Sequence, residues 1–465
     1  MAEPLWSAEE AAKAVSGQLT QEGWSARGVS IDTRTLVEGD LFVALADKRD
    51  GHEFAQAALD KGASAVLVSD PSCTQGPRLV VDDVLQALCD LGAGARERSE
   101  AIRVGVTGSV GKTGVKEALA EIFRTAARAH WSEKSYNNHW GVPLTLARMH
   151  ADTQLAVFEM GMNHAGEIEA LSAQVRPHVA LITKIAPAHL ENLGSMEAIA
   201  DAKAEIFSGL EADGIAVIPA DDEFASRLSA AVHRSRAGFL LDFGFSQSAA
   251  VRVLSYDEDS EGGSGQLDVM GRKVDLRLRL PGSHQAVNAA CAVAAATAAG
   301  VDPELAIDAL ARLEAGAGRG ARFQARLGDA RTLTVIDESY NANPASMRAA
   351  LTSLKAVTPS AQGRRIAIIG EMLELGPQSA AMHADLASPI LDAGTDLVVT
   401  VGRDAAPLHE ALETRIEAEW APNAQAAMQL LSDNANEGDV VLIKGSNASG
   451  VHKIAASLRE ARTPA

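Results

Sequence analysis

The segment Val104-Gly105-Val106-Thr107-Gly108-Ser109-Val110-Gly111-Lys112-Thr113 constrains the fold more than any other stretch of the chain. Residues 102–106 read as a short buried strand, and Val115, Leu119, Ile122, Phe123 and Ala126 then recur at helical spacing, so the glycines fall at a strand-to-helix turn. Such a turn binds phosphate for physical reasons. Glycines let backbone N–H groups approach phosphate oxygens, the helix N-terminus adds partial positive charge, Lys112 supplies a point charge, and Thr113 offers a hydroxyl to Mg²⁺. Gly108, Ser109, Val110, Gly111, Lys112 and Thr113 are therefore the nucleotide-binding residues expected here. The spacing departs from the standard Walker form, because Val106 stands five residues before Gly111 where that form has glycine.

At 465 residues the chain is long enough for roughly three domains. Its 47% hydrophobic and 22% charged residues are globular composition, and no apolar run approaches the ~20 residues of a membrane span. The start, Met-Ala-Glu-Pro-Leu-Trp, carries neither a basic region nor an apolar stretch of signal type, so a cytoplasmic location is expected. Cys73, Cys89 and Cys291 are too few and too scattered for a disulfide framework or a thiolate metal site. A net charge of −19 argues against a nucleic-acid partner, and an anionic ligand then needs local help from loop N–H groups, Mg²⁺ and a few placed cations.

Residues 1–98 read as a first α/β unit with strands at 41–45, 65–69 and 79–81. The polar run at 95–100 leads into a second unit, 99–316, in which runs at 155–158, 179–182 and 215–218 alternate with helical segments as in a mostly parallel sheet. Residues 257–265 are acidic and glycine-rich. Val274, Leu276, Leu278 and Leu280 then alternate with polar residues as a half-buried strand does. An alanine-rich helix is expected over 288–299, and residues 316–320 look like a hinge. Strands at 332–336, 365–369, 397–401 and 440–443 make residues 317–465 a third, doubly wound unit.

Glu159 follows the strand at 155–158, which places a carboxylate at a strand's carboxyl end beside the phosphate loop. It could hold Mg²⁺, which takes one or two carboxylates beside phosphate and water, or be a surface residue. Read as residues alone, His189 fits a packed or solvated histidine and Lys203 a solvated helical lysine.

Taken together these stretches resemble the Mur ligase family, the ATP-dependent amide-forming ligases of cell-wall precursor synthesis, over essentially the whole chain. The resemblance implies a three-domain α/β architecture with a central P-loop ATPase-like parallel sheet and a Rossmann-like C-terminal domain. It also implies ATP and two Mg²⁺ ions as cofactors. Thr113, Glu159, His189 and Lys203 match the metal-side positions, and Lys203 stands where the family carries a carbamylated lysine. Gly282-Ser283-His284-Gln285-Ala286-Val287-Asn288 resembles the family segment whose last asparagine meets adenine, although Gln285 replaces its first. Arg322 and Asp337 resemble the residues that reach the nucleotide when the third domain closes, with Arg319 a near neighbour.

Within the family, Tyr340-Asn341-Ala342-Asn343-Pro344 resembles the member that adds D-alanyl-D-alanine to the UDP-muramoyl-tripeptide, and Asn341 joins Lys112 among the implied catalytic residues. Asn137-Asn138-His139-Trp140-Gly141 resembles the substrate loop. Gly370-Glu371-Met372-Leu373-Glu374-Leu375-Gly376 and Lys444-Gly445-Ser446 resemble further family segments. Ser30, Asp32 and Thr33, with Gly39-Asp40-Leu41-Phe42, resemble the uridine-nucleotide-binding first domain. The loop at 46–49 is about one residue short, and Gly114 stands where Ser or Thr often follows the loop threonine. The implied partners are thus Ser30, Asp32, Thr33, Asn137, Asn138, Tyr340 and Lys444 for the two small-molecule substrates, in a monomer with no membrane insertion. A folylpolyglutamate or cyanophycin synthetase fits the uridine-type first domain poorly, and a nucleotide-hydrolysing switch would make no bond at all.

Overall fold

The computed structural model describes residues 4–258, 262–280, 282–328, 331–360 and 362–461. Among the described residues three larger sheets organise the chain, and a fourth, two-stranded one pairs Trp6–Ser7 with Ser25–Ala26. In the first, Gly28–Ser30, Asp40–Val43, Ala65–Val68 and Arg78–Val80 run parallel, and Gln18–Leu19 pairs antiparallel at the edge. The helix Val84–Glu97 packs this unit onto Gly141–Ala147, with Leu144 and Ala147 entering the first unit's core and Trp6 Nε1 donating to Ala147 O at 2.9 Å.

The central sheet has nine strands, with Ile102–Thr107 between Val179–Ile182 and Leu155–Glu159. Val104 and Val106 are fully buried, and so are Val115, Leu119, Ile122 and Phe123 on the helix Lys112–Ala126 that covers them. Truncating any one of these leucine- or phenylalanine-sized groups to alanine would cost about 2–5 kcal/mol, so strand and helix hold the loop between them rigidly. Burial on both faces is what a central parallel strand with crossover helices requires. The opposite face is closed by Glu167–Val175, Met196–Ala204 and Ala225–Arg234.

Only part of this sheet is parallel. Val251–Glu258, Gly263–Val269 and Arg272–Leu278 form an antiparallel meander at one edge. In the last strand Val274, Leu276 and Leu278 point inward, as their alternation requires. The glycines just before it serve strand pairing as well as a turn: a Cβ on Gly265 would overlap Ser255 O, beside a register shift. Residues 259–261 of the acidic stretch fall outside the described residues. The alanine-rich helix begins earlier than its composition suggests, at Ser283, and runs to Ala298, which places Asn288 in its second turn and not at its cap.

The third sheet orders Ala321–Leu327, Arg331–Glu338, Val440–Lys444, Arg365–Gly370, Leu397–Val401 and Glu417–Ala421, parallel except for the first pair. Strand ends of this sheet and of the central sheet face one cleft.

Candidate active site

The loop after Ile102–Thr107 is built from two positions that exclude a side chain. Gly108 has φ +148°, and a Cβ there would overlap Thr183 Oγ1; Gly111 has φ +86°, with Asn288 Oδ1 2.8 Å from its would-be Cβ. The neighbouring strand end holds the loop, since Thr183 Oγ1 donates to Val110 O at 2.5 Å and Ser109 N donates to Lys184 O at 2.7 Å. Lys112 Nζ donates to Gly108 O at 2.7 Å, so the lysine curls over the loop it serves. Burial lowers its pKa, opposed by the charge of Glu159 and reinforced by that of Arg319.

Glu159 ends the adjacent strand and is almost fully buried. Its Oε2 accepts from Thr113 Oγ1 at 2.7 Å and its Oε1 from Asn137 Nδ2 at 2.8 Å. Ser135 Oγ lies 3.3 Å from Thr113 Oγ1. A carboxylate and a hydroxyl presented together beside a phosphate loop are the hard oxygen donors that suit Mg²⁺. Asn138 acts on the backbone instead, its Oδ1 accepting from Gly141 N at 2.9 Å at the start of the helix Gly141–Ala147.

These groups line a cleft of about 530 Å³ whose far wall is the third domain. Tyr340, Asn341 and Asn343 line it at the exit of the strand Arg331–Glu338, and Lys444 lines it from the end of Val440–Lys444. Lys444 Nζ, on a side chain 2% exposed, donates to Asn341 O at 3.0 Å and Glu338 O at 3.3 Å and lies 3.7 Å from the Glu338 carboxylate. Burial raises the pKa of Glu338 and lowers that of Lys444. Away from the loop the cleft becomes apolar, with Leu278, Leu280, Leu310 and Leu313 around Asn288, a surface suited to a flat base.

Several expected residues stand elsewhere. Asp337 is buried off the cleft: its Oδ2 accepts from Gly318 N at 2.9 Å and Arg459 Nη2 at 2.5 Å, and its Oδ1 from Ser339 Oγ at 2.5 Å. Successive residues on a strand face opposite ways, so the carboxylate that reaches the cleft is Glu338. Arg322 lies in a side pocket with Gln285, Ile336 and Glu338, and the arginine on the cleft itself is Arg319.

His189 and Lys203 do not line the cleft. His189, at φ +57°, pairs with Glu374 of the third domain, whose carboxyl it holds below the usual range. Lys203 is 1% exposed on Met196–Ala204, and burial together with the charge of Lys112 depresses its pKa far below an ordinary lysine's. Among the described residues no three His, Cys, Asp or Glu side chains converge as a metal cluster. In the first domain Ser30 Oγ donates to Asp32 O at 3.2 Å, Thr33 O accepts from Lys61 Nζ at 2.8 Å, and the Arg34 guanidinium holds the Asp32 carboxyl down to about 2.

A Lys-Thr phosphate loop on a central parallel strand, a carboxylate on the next strand, and a second α/β domain walling the same cleft define a nucleotide-binding enzyme of the P-loop type. Residues 106–296 match the model of the Mur ligase middle domain, and residues 321–447 that of the Mur ligase, glutamate ligase domain. The chain belongs to the Mur ligase family. It is 34% identical over 428 residues to the UDP-N-acetylmuramoyl-tripeptide--D-alanyl-D-alanine ligase of Rickettsia prowazekii, covering 92% of this chain and 94% of that one. It is also 34% identical over 451 residues to the Escherichia coli enzyme of the same name, covering 96% of each. Among solved structures, MurF from Acinetobacter baumannii superposes with a TM-score of 0.84 at 30% identity, over 98% of this chain and 99% of that one.

Proposed function

We propose that this chain is the ATP-dependent ligase that joins D-alanyl-D-alanine to UDP-N-acetylmuramoyl-tripeptide, giving the UDP-linked pentapeptide, ADP and phosphate in peptidoglycan precursor synthesis. The observation that carries this reading is the shared cleft, in which Lys112 and Glu159 face Tyr340, Asn341 and Lys444 across the domain boundary. A carboxylate is a poor electrophile. Transfer of the terminal phosphoryl group to the tripeptide carboxylate gives an acyl-phosphate. The dipeptide amine then attacks its carbonyl carbon, a tetrahedral intermediate expels phosphate, and the amine proton leaves to solvent.

The protein's part is to position three substrates and balance charge. Residues 1–98, through Ser30, Asp32 and Thr33, take the uridine nucleotide. Residues 99–316 take ATP, with the loop N–H groups and Lys112 on its phosphates and Asn288 at its base. Residues 317–465 take the dipeptide, through Tyr340, Asn341 and Lys444. Mg²⁺, when bound, neutralises phosphate charge, and Thr113 and Glu159 are the oxygen donors that would hold it. Lys203 and His189 are the further metal-side residues; a buried lysine kept neutral is the form that captures carbon dioxide, and the carbamate so formed is a carboxylate. Closure of the third domain would bring Arg322 to the nucleotide, whereas Glu338 takes the cleft-facing role expected of Asp337. We take the acting unit to be a cytoplasmic monomer, since the chain's own domains complete the cleft. No described helix is long and apolar enough to cross a membrane.

The test is mass balance. With ATP, Mg²⁺ and both substrates, the ligase yields a product of the summed substrate masses less water, and phosphate release requires both. Phosphate release indifferent to the dipeptide, with no such product, would overturn the assignment in favour of a hydrolytic switch.

A further inference from the structure

Residues 370–376 do not line the cleft, yet the third domain pins their backbone from several sides. Ser446 N donates to Glu371 O and Asp404 N to Glu371 Oε1, both at 2.9 Å, while Met372 N donates to His383 Nε2 at 2.9 Å and Leu373 N to Ser446 Oγ at 3.0 Å. Met372 and Leu375 are buried in that domain's core. Between them Glu374, at φ +62°, turns outwards and meets His189 of the central domain, whose φ is +57°.

Six non-glycine residues among those described have a positive φ, and these two face each other across a domain boundary. A left-handed backbone at a residue with a side chain persists only where its surroundings over-determine it. Both sides supply such surroundings. His189 O accepts from Asn192 N and Leu193 N at 3.1 Å, which closes the turn Leu190–Leu193, and that turn packs on the helix Met196–Ala204 that carries Lys203. Two further contacts join turn and segment. Glu191 N donates to Glu374 O at 3.3 Å, and Gly376 lies so close that an added Cβ would stand 3.3 Å from Glu191 Cα. Among the described elements, Leu190–Leu193 against Gly376–Gln378 is the principal contact between the central and third domains. A contact this small leaves the domains free to part, so removing one polar pair from it changes how much of the protein is docked.

We propose that residues 371–376 form an interdomain latch and that Glu374 is its positioning residue. On docking, its carboxylate fixes the His189 ring while its carbonyl accepts from Glu191 N, which retains the arrangement in which both domains line one cleft. The latch lies outside the cleft and acts on the population of that arrangement. Its consequence for the dipeptide rests on the ligase reading, because Tyr340, Asn341 and Lys444 come from the domain that the latch holds.

The experiment is hydrogen exchange of the full-length protein with Mg²⁺ and ADP, read at residues 189–194, beside calorimetric titration with ADP and the KM for D-alanyl-D-alanine. Glu374→Gln keeps the shape and removes the charge. Exchange at 189–194 is expected to quicken roughly three- to tenfold, the dipeptide KM to rise roughly five- to twentyfold, and the ADP Kd to stay within about twofold, at an unchanged Tm. Glu374→Asp, which keeps the carboxylate, should recover part of both changes, as a residue that only supported folding would not. Unchanged exchange at 189–194 in E374Q, faster exchange spread through the whole third domain, an equal loss of ADP affinity, or a wild-type dipeptide KM would overturn the proposal. Exchange and calorimetry need no acceptor, so their outcome is separate from the product-mass assay that tests the reaction itself.

Discussion

The hydroxyl of Thr113 donates to Glu159 Oε2 at 2.7 Å, tying the first turn of the phosphate-loop helix to the end of the neighbouring strand. With its other oxygen taken by Asn137, the carboxylate has one orientation. Thr113→Ala is expected to lower kcat/KM on the order of a hundredfold, and Glu159→Ala by more, with the Mg²⁺ requirement shifted to higher concentration in both. A magnesium titration of initial rates checks this. Unchanged magnesium dependence in both variants would remove these residues from the metal's surroundings.

Glycines 108 and 114 should behave oppositely. A Cβ at Gly108 collides with Thr183 Oγ1, and its φ is one that side chains rarely adopt, so Gly108→Ala should abolish nucleotide binding by deforming the loop. Gly114 sits inside the helix Lys112–Ala126 with nothing within 4 Å of a would-be Cβ. Gly114→Ala should raise the unfolding free energy by about 0.5–1 kcal/mol, seen as a higher Tm. A lower Tm would mean that the space at Gly114 is already used.

Lys203 offers a test of its chemistry through carbon dioxide. Burial and the charge of Lys112 lower its pKa and so favour the neutral amine that takes up carbon dioxide; degassed, bicarbonate-free buffer should reduce wild-type activity roughly ten- to a hundredfold, and bicarbonate should restore it. Lys203→Ala should ignore bicarbonate and respond to acetate or formate, which place a carboxylate in the vacated space. Wild-type activity indifferent to carbon dioxide, with no rescue of the variant, would end the carbamate idea.

His130 sets a limit on acid stability. It is half-buried on the edge strand Ala129–Trp131, donates through Nε2 to Thr145 O at 2.7 Å, and is pushed down to about 4 chiefly by desolvation. The unfolded chain binds a proton there near 6.5, so folded stability is full above that value and falls as pH drops towards 4. At about 1.4 kcal/mol per unit the loss is at most about 3.5 kcal/mol. Urea unfolding between pH 7 and 4 should show this limb, and His130→Gln should flatten it. An identical limb in the variant would assign the pH dependence to other groups.

The phosphate loop was legible because all its determinants are local: a buried strand, glycines and a helix within a dozen residues. Glu159 was legible for the same reason, as the residue on which a strand ends. Arg319 and Glu338 were harder. Each owes its place to neighbours far away in the chain, Ser135 for one and Lys444 for the other, and residues 316–320 looked only like a flexible joint. The meander at residues 251–278 was obscured because glycines chosen for close strand pairing resemble loop glycines in composition. His189 and Lys203 drew their expected roles from resemblance, and the structure adds for each an environment that no local pattern encodes.

Asp337 joins the hinge to the domain that follows it. By accepting from Gly318 of the hinge and from Arg459 of the last helix, it binds residues 318–320 to the third domain as one piece, so the backbone can swing only on the N-terminal side of Gly318. In the closure proposed above, residues 318–320 would therefore travel with the third domain. The separation of Arg319 from Lys112 would then report the angle between the two domains.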